Sequence, residues 1–359
     1  MITAKFGGSA VTPANLHFLK RCLSPFHNAV VVSAVGKEHP QDVKATDLLK
    51  QFYLTRDERL WNAFCAKYRR LVERNCIDVD VDGLLFGARA RAEKYDLAYC
   101  MSLGEELSAR IVAKYLSADY VEAEQAVRFG SRGLRFNDTV KNLSRVFKGV
   151  RLAVTGGFYG GCNNSRKLFS RGGSDVTGAL CAVSTGASLY ENWTDSYGVC
   201  VADPVKVFDV STVFSLSYDE MYVLARAGAQ VLHPDAVTPC ARFGIPIKIG
   251  NFYNPLGAST TVSSCRSSHA VLSVTELIDE HGNTVTTVLH SLPPAEIAGF
   301  FAEFLQSLRG GINVFGKRFP SDRVSVQSLS IRADTATLVT TQSVLSPLYK
   351  LFKSRNLIR

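Results

Sequence analysis

The 359-residue sequence has no two cysteines at Cys-x-x-Cys spacing, no run of eighteen apolar residues and no Gly-x-x-x-x-Gly-Lys-Ser/Thr at its N-terminal glycine turn. Its nine cysteines stand at 22, 65, 76, 100, 162, 181, 200, 240 and 265. Scattered and odd in number, they read as reduced thiols rather than a disulfide framework or a zinc site. Met1-Ile2-Thr3-Ala4-Lys5 lacks the basic-then-apolar pattern of a leader peptide, so neither secretion nor a membrane span is expected and a cytoplasmic location is. No repeat, low-complexity tract or signature of a nucleic-acid-binding module occurs. The basic residues between positions 50 and 95, including Lys67-Tyr68-Arg69-Arg70, Arg89, Arg91 and Lys94, read as a solvated helical face.

What is present is enough apolar residue, 46%, to bury a substantial core, with 20% charged. The length suggests two domains. A formal charge of +9 favours anionic partners without choosing among them. Apolar strand-like runs at 2–6, 29–34, 152–155, 188–193 and 245–249 alternate with helical patterns, which predicts an α/β sandwich around a mainly parallel sheet. Thr12 followed by Pro13 predicts a helix start, with Leu16, Leu19 and Leu23 on one face. Ser217-x-x-Glu220 predicts a capping box, and Gly228 an end to the helix it opens.

Composition turns polar at 257–268. Beyond it the pattern predicts strand, turn, strand, helix, strand, strand, helix, with the turn at Glu280-His281-Gly282-Asn283. Ile297, Phe300, Phe301, Phe304, Leu305 and Leu308 form a core-facing stripe. Val324, Val326, Leu329 and Ile331 fit a strand with a slip in its alternation. The expected division is therefore 1–264 and a small α+β domain at 265–359.

Five segments carry chemistry. Lys5-Phe6-Gly7-Gly8-Ser9-Ala10 runs a lysine-bearing strand into two glycines, whose backbone can approach an anion closely; taken alone, these residues read first as a plain glycine turn with a surface lysine. Val30 to Lys37, with Thr46 shortly after, puts hydroxyls at the exit of a buried strand, where open α/β sheets bind ligands. Ser102-Leu103-Gly104-Glu105 has capping-box spacing, which gives Glu105 a structural reading beside that of an ammonium ligand. Thr155-Gly156-Gly157-Phe158, followed by Ser170-Arg171-Gly172-Gly173-Ser174-Asp175, sets an anion-binding turn at a helix start, with Arg171 suited to clasp a carboxylate. Thr194-Asp195-Ser196-Tyr197 and Ala202-Asp203-Pro204 suit a ribose and base, or are two ordinary turns.

Taken in order, these motifs, with Gly228-Ala229-Gln230-Val231-Leu232-His233-Pro234, resemble those of aspartate kinases in the amino acid kinase superfamily over residues 1–264. The resemblance implies transfer of the ATP γ-phosphoryl group to the β-carboxylate of L-aspartate, with Mg²⁺, in amino-acid biosynthesis. Lys5 and Asp175 would be catalytic, and Thr46, Glu105, Arg171 and Ser174 would bind the amino acid. Lys5, Gly7, Gly8, Ser9, Thr194, Asp195, Tyr197, Asp203, Lys206 and Gln230 would line the nucleotide site; no metal ligand is assigned. It further implies an ACT-like regulatory or dimerisation domain at 265–359 and a homodimer or higher homo-oligomer, with no nucleic-acid or membrane partner. Two positions depart from the family pattern: Val205 replaces an arginine and Gln230 a lysine, and each removes a cation from the phosphate side. Lys206 stands next to the first. The alternatives are a kinase of the same fold for another amino acid carboxylate and a regulator that binds ligand without turnover.

Overall fold

A computed structural model describes residues 1–359 except 171, 228, 230, 266–270, 310–325, 333–334, 341–342, 356 and 359. Chain contacts gather it into two compact units, Met1–Tyr197 with Asp235–Ala258 and Gly198–Pro234 with Ser259–Arg359.

In the first unit six strands lie side by side in the order Ile247–Asn251, Leu189–Thr194, Ile2–Phe6, His27–Val32, Ala153–Gly156 and Asp119–Val121. Every pairing among them is parallel, so all their carboxyl ends reach one edge. The strand period of two sorts side chains between faces. Ala4, Phe6, Val30, Val32 and Val154 enter the core built with helices Ala45–Thr55, Glu58–Arg74, Val81–Lys94 and Leu97–Leu116. Thr3 and Lys5 turn the other way, toward helix Gly173–Thr185, where the Thr3 hydroxyl meets that of Thr185 at 3.4 Å. Every residue of His27–Val32 is buried, as a parallel strand covered on both faces requires.

Two expectations change. The first helix is His17–Cys22, preceded by a turn over 13–16 in which the Thr12 carbonyl and hydroxyl accept the Asn15 N–H at 3.1 and 3.2 Å. Thr12 thus caps a turn and not the α-helix, with Leu16 and Leu19 fully buried behind it. The basic stretch at 50–95 is helical but not simply a solvated face. Lys67 and Tyr68 are buried, Lys67 is bound to Asp42, and Arg89 pairs with Glu58 and Glu93 above the Phe52 and Trp61 rings.

In the second unit Ser215–Ser217 runs parallel to Ser259–Ser263 and leads into helix Tyr218–Arg226. The expected capping box is present: Ser217 Oγ accepts the Glu220 N–H at 3.2 Å and Glu220 Oε2 accepts the Ser217 N–H at 2.6 Å. Gly228, its expected terminator, lies outside the described residues. The remaining elements follow the predicted order, with antiparallel strands Val271–Ile278, Thr284–His290, Thr335–Thr340 and Val326–Ile331 side by side and helices Pro294–Arg309 and Leu345–Ser354. Register slips between Val326 and Ser328, where the alternation breaks; Val324 lies outside the described residues. Ile297, Phe301 and Phe304 are fully buried, and Phe300 stacks on Phe352 at 4.3 Å.

The Lys67–Asp42 pair sets a test of the fold. Partial burial works against the Asp42 carboxylate, but its hydrogen bond to Lys67 holds it below its usual range. Its stabilising contribution is present above the ordinary carboxyl pKa and lost as pH falls through the lowered one. Asp42→Asn strands a buried ammonium and is expected to cost about 3 kcal/mol in urea denaturation at pH 7, a loss that Lys67→Met in the same chain reverses.

Candidate active site

The carboxyl edge of the parallel sheet gathers the chemistry. Ile2–Phe6 runs into Gly7-Gly8, His27–Val32 into Ser33-Ala34, Ala153–Gly156 into Gly157, and Leu189–Thr194 into Asp195. Lys5 lies one residue before its strand ends, in register with Asn192. Its Nζ sits 2.7 Å from Asp175 Oδ1 and donates to Asn192 Oδ1 at 3.2 Å. The Asn192 amide donates to the same Asp175 oxygen at 3.3 Å, closing a triangle. Lys5 and Asp175 side chains retain 11% and 13% exposure, so an arriving anion can reach them. A side chain at position 7 would stand 3.6 Å from Nζ, and glycine leaves that approach open.

Asp175 is held there by the start of helix Gly173–Thr185. Gly172, just before it, has φ 57°, a left-handed turn that glycine adopts without strain. The Asp175 carbonyl accepts the Tyr190 hydroxyl at 3.0 Å, which ties the helix to the neighbouring strand. Ser174 lies against the next strand exit, where it accepts the Ser33 hydroxyl at 2.9 Å. A Cβ on Gly157 would fall 2.5 Å from Ser174 Cα, so the two segments meet this closely only with glycine there. Arg171 lies outside the described residues.

Glu105 departs from its expected local setting. Helix Leu97–Leu116 begins at Asp96, whose carboxylate caps the Tyr99 N–H at 2.9 Å. Ser102 and Glu105 therefore sit inside the helix, and the Ser102 hydroxyl donates to the Tyr99 carbonyl at 2.7 Å. Glu105 is 4% exposed and its Oε2 has no hydrogen-bond partner among the described residues. Desolvation pushes its carboxyl from the ordinary 4.5 up to about 8, against a smaller opposing pull from the Ala34 backbone amide. The next residue behaves oppositely. Burial also works against ionised Glu106, but Arg166, Arg91 and Arg110 outweigh it and hold that carboxyl low.

Arg166 is the residue that sequence reasoning passed over. Its side chain is 1% exposed, 2.8 Å from both Glu106 and Glu124, and donates to Ser102 Oγ at 3.0 Å. The guanidinium lies between the Tyr99 and Tyr159 rings, 4.1 and 4.6 Å from their centroids. It belongs to the antiparallel hairpin of Tyr159–Cys162 and Ser165–Leu168, which precedes helix Gly173–Thr185 in the chain. It thereby fixes the Glu105 helix against that hairpin, and is a positioning residue. Asn192 was also missed; the signal was Glu191-Asn192, two polar residues in the middle of a strand, both buried.

The other expected residues are less gathered. Thr46 is half-buried in the first turn of Ala45–Thr55 and makes none of these hydrogen bonds. The Thr194 hydroxyl donates to Asp195 Oδ1 at 3.2 Å, and the Asp195 carbonyl accepts the Asn251 amide at 3.1 Å. Tyr197 is 47% exposed. In the second unit Asp203 closes a turn, its carboxylate accepting the Val205 N–H at 2.9 Å. Lys206 pairs with Glu276 at 3.3 Å, whose other oxygen also accepts the Val344 and Leu345 N–H groups. Gln230 lies outside the described residues.

A lysine–carboxylate pair bridged by an asparagine thus stands at the carboxyl edge of an open parallel sheet, where α/β folds of this class hold their ligands. The family model of the amino acid kinase family matches residues 1–251, and the chain belongs to that family. Among its relatives, aspartokinase 3 of Bacillus subtilis (strain 168) is 32% identical over 75% of this chain and 64% of its own length. The lysine-sensitive aspartokinase 3 of Escherichia coli (strain K12) is 26% identical over 98% of this chain and 83% of its own. The crystal structure of Clostridium acetobutylicum aspartate kinase superposes with a TM-score of 0.72 at 27% identity, over 95% of this chain and 78% of that one. The chain spans less than two thirds of the Bacillus relative's length. The expected fold stands: an amino-acid-kinase α/β sandwich with a smaller ACT-like α+β portion.

Glu105 supplies the test for this site. The folded chain keeps its proton up to about pH 8, whereas the unfolded chain releases it near 4.5. The folded state binds more protons between those limits, so Glu105 makes stability fall as pH rises from 4.5 to 8. Glu105→Gln is expected to flatten that part of the stability profile, measured by urea denaturation at half-unit pH steps; an unchanged slope contradicts the assignment.

Proposed function

We propose that the chain transfers the γ-phosphoryl group of ATP to the β-carboxylate of L-aspartate, giving 4-phospho-L-aspartate and ADP. The observation that carries this reading is the Lys5–Asp175–Asn192 triangle beside an unencumbered Gly7, at the sheet edge where such folds hold ligands. The aspartokinase names of its relatives support the choice of acceptor.

In this reading Lys5, with Gly7, Gly8 and Ser9, meets the phosphates. Glu105, buried and short of a partner, takes the substrate ammonium, and Arg171 its α-carboxylate, with Thr46 and Ser174 adding hydrogen bonds. Thr194, Asp195 and Tyr197, together with Asp203, Lys206 and Gln230, contribute to the nucleotide's binding. A carboxylate is ionised at neutral pH and needs no general base. Its oxygen bonds to the γ-phosphorus as the bridging bond to the β-phosphate breaks, and ADP departs with that electron pair. Lys5 neutralises charge on the transferring group, and Asp175 with Asn192 holds the ammonium in place. Among the described residues no group of three or more His, Cys, Asp or Glu is arranged to hold a metal ion. Magnesium is accordingly proposed to arrive on the nucleotide phosphates, which it usually prefers to an all-protein cage.

Residues 1–264 are assigned the kinase chemistry and 265–359 an ACT-like regulatory or dimerisation role, in a cytoplasmic homodimer or higher homo-oligomer. All nine cysteines are free. No helix of the described residues is long and apolar enough to cross a membrane. A second reading, ligand binding without turnover, is favoured by Val205 and Gln230, which lack the family's cations, and by Lys206 being engaged by Glu276.

One assay separates these readings. Purified protein with Mg·ATP, aspartate and hydroxylamine is expected to yield aspartyl hydroxamate. A hydroxamate from another amino acid alone selects a different acceptor, and binding without product selects the regulator. Lys5→Ala is expected to lower turnover about 10²-fold or more with an unchanged circular dichroism spectrum; undiminished turnover removes Lys5 from its role.

A further inference from the structure

Residues 127–151 contain seven lysines and arginines against one carboxylate, Asp138, and so supply two thirds of the chain's net charge of +9. Four of these cations, Arg128, Arg135, Lys141 and Arg145, line a single cavity of about 500 Å³ together with Asn142 and Asn163. The cavity lies wholly in the first unit and shares no residue with the Lys5 triangle. Helix Phe136–Val146 places Lys141 and Arg145 four residues apart, on one face. Arg128 comes from the segment just before the small hairpin of Phe129–Gly130 and Gly133–Leu134. The one carboxylate is already engaged, since Arg135 holds Asp138 at 2.7 Å. Arg128, Lys141 and Arg145 are exposed and make no ion pair among the described residues.

Like charges converging on one concavity repel one another, and a multiply charged anion turns that repulsion into attraction. The volume suits a small ligand rather than a polymer. Guanidinium groups match phosphate oxygens in bidentate fashion, and the two asparagine amides add neutral donors. Phe129 is the one aromatic residue of the wall, which gives an apolar ligand little to bind. We propose that this cavity is a second anion site, separate from the sheet edge, that takes a di- or triphosphate group. The same chemistry is presented by a nucleotide and by an inorganic polyphosphate.

The test is calorimetric titration of the full chain with inorganic tripolyphosphate. Lys5→Ala protein, impaired at the sheet edge, is expected still to bind one tripolyphosphate. Adding Lys141→Glu and Arg145→Glu is expected to weaken that binding at least tenfold, and Lys141→Arg with Arg145→Lys to restore it within threefold. In the otherwise wild-type chain the double reversal is expected to remove a binding event while thermal melting stays unchanged. Parallel titrations with ADP name the source: tighter ADP binding that is equally sensitive to the reversal points to a nucleotide, and weaker binding to inorganic polyphosphate. Loss of all binding in Lys5→Ala protein overturns the proposal, as does indifference to the charge reversal. A single-stranded oligonucleotide that binds tighter than tripolyphosphate, with the same sensitivity, also overturns it in favour of a polymer surface.

Discussion

The contact between Lys5 and Asp175 organises the carboxyl edge of the parallel sheet. An ammonium on a buried strand and a carboxylate at a helix start satisfy each other while both remain partly open. Removing either would leave the other partly buried without its main counter-charge, which is costly. The pair persists because Asn192 bonds to both partners and because Tyr190 fixes the Asp175 backbone. Close backbone approach makes the arrangement possible. Gly157 admits Ser174, and left-handed Gly172 turns the chain into the helix.

The neighbouring carboxylates Glu105 and Glu106 extend the same logic. They occupy one helix and are both buried, yet their protonation is pushed in opposite directions. Glu106 faces three guanidinium groups and stays ionised, a structural anchor that joins the helix to Arg166 and its hairpin. Glu105 has no such partner, and burial raises its pKa. A group left in that condition is destabilising once ionised, so a cation delivered by a ligand has much to gain there.

Much of the fold was legible because its signals are local. Near-continuous apolar runs marked the parallel strands, and alternation with a slip at Val326 marked the small antiparallel sheet down to its register shift. Ser217 and Glu220 capped as their spacing suggested. The same spacing misled at Ser102 and Glu105, because Asp96 opens that helix six residues earlier. Thr12-Pro13 misled similarly, since a turn intervenes before helix geometry begins. Lys67 was read as solvated because its burial depends on Asp42, 25 residues away. Within the site, Lys5, Ser174 and Asp175 were marked by glycines and helix-start residues close in sequence. Asn192 and Arg166 were not, since each acts through partners distant in the chain.

The central claim is that Lys5 and Asp175 act as one unit on the transferring phosphoryl group. A double-mutant cycle in single-turnover phosphoryl transfer tests it most directly, with Lys5→Ala, Asp175→Ala and the combined variant compared with the parent. The account predicts that the double variant is about as slow as the slower single variant, because either change already breaks the unit. Losses that multiply, each substitution slowing transfer independently of the other, contradict it.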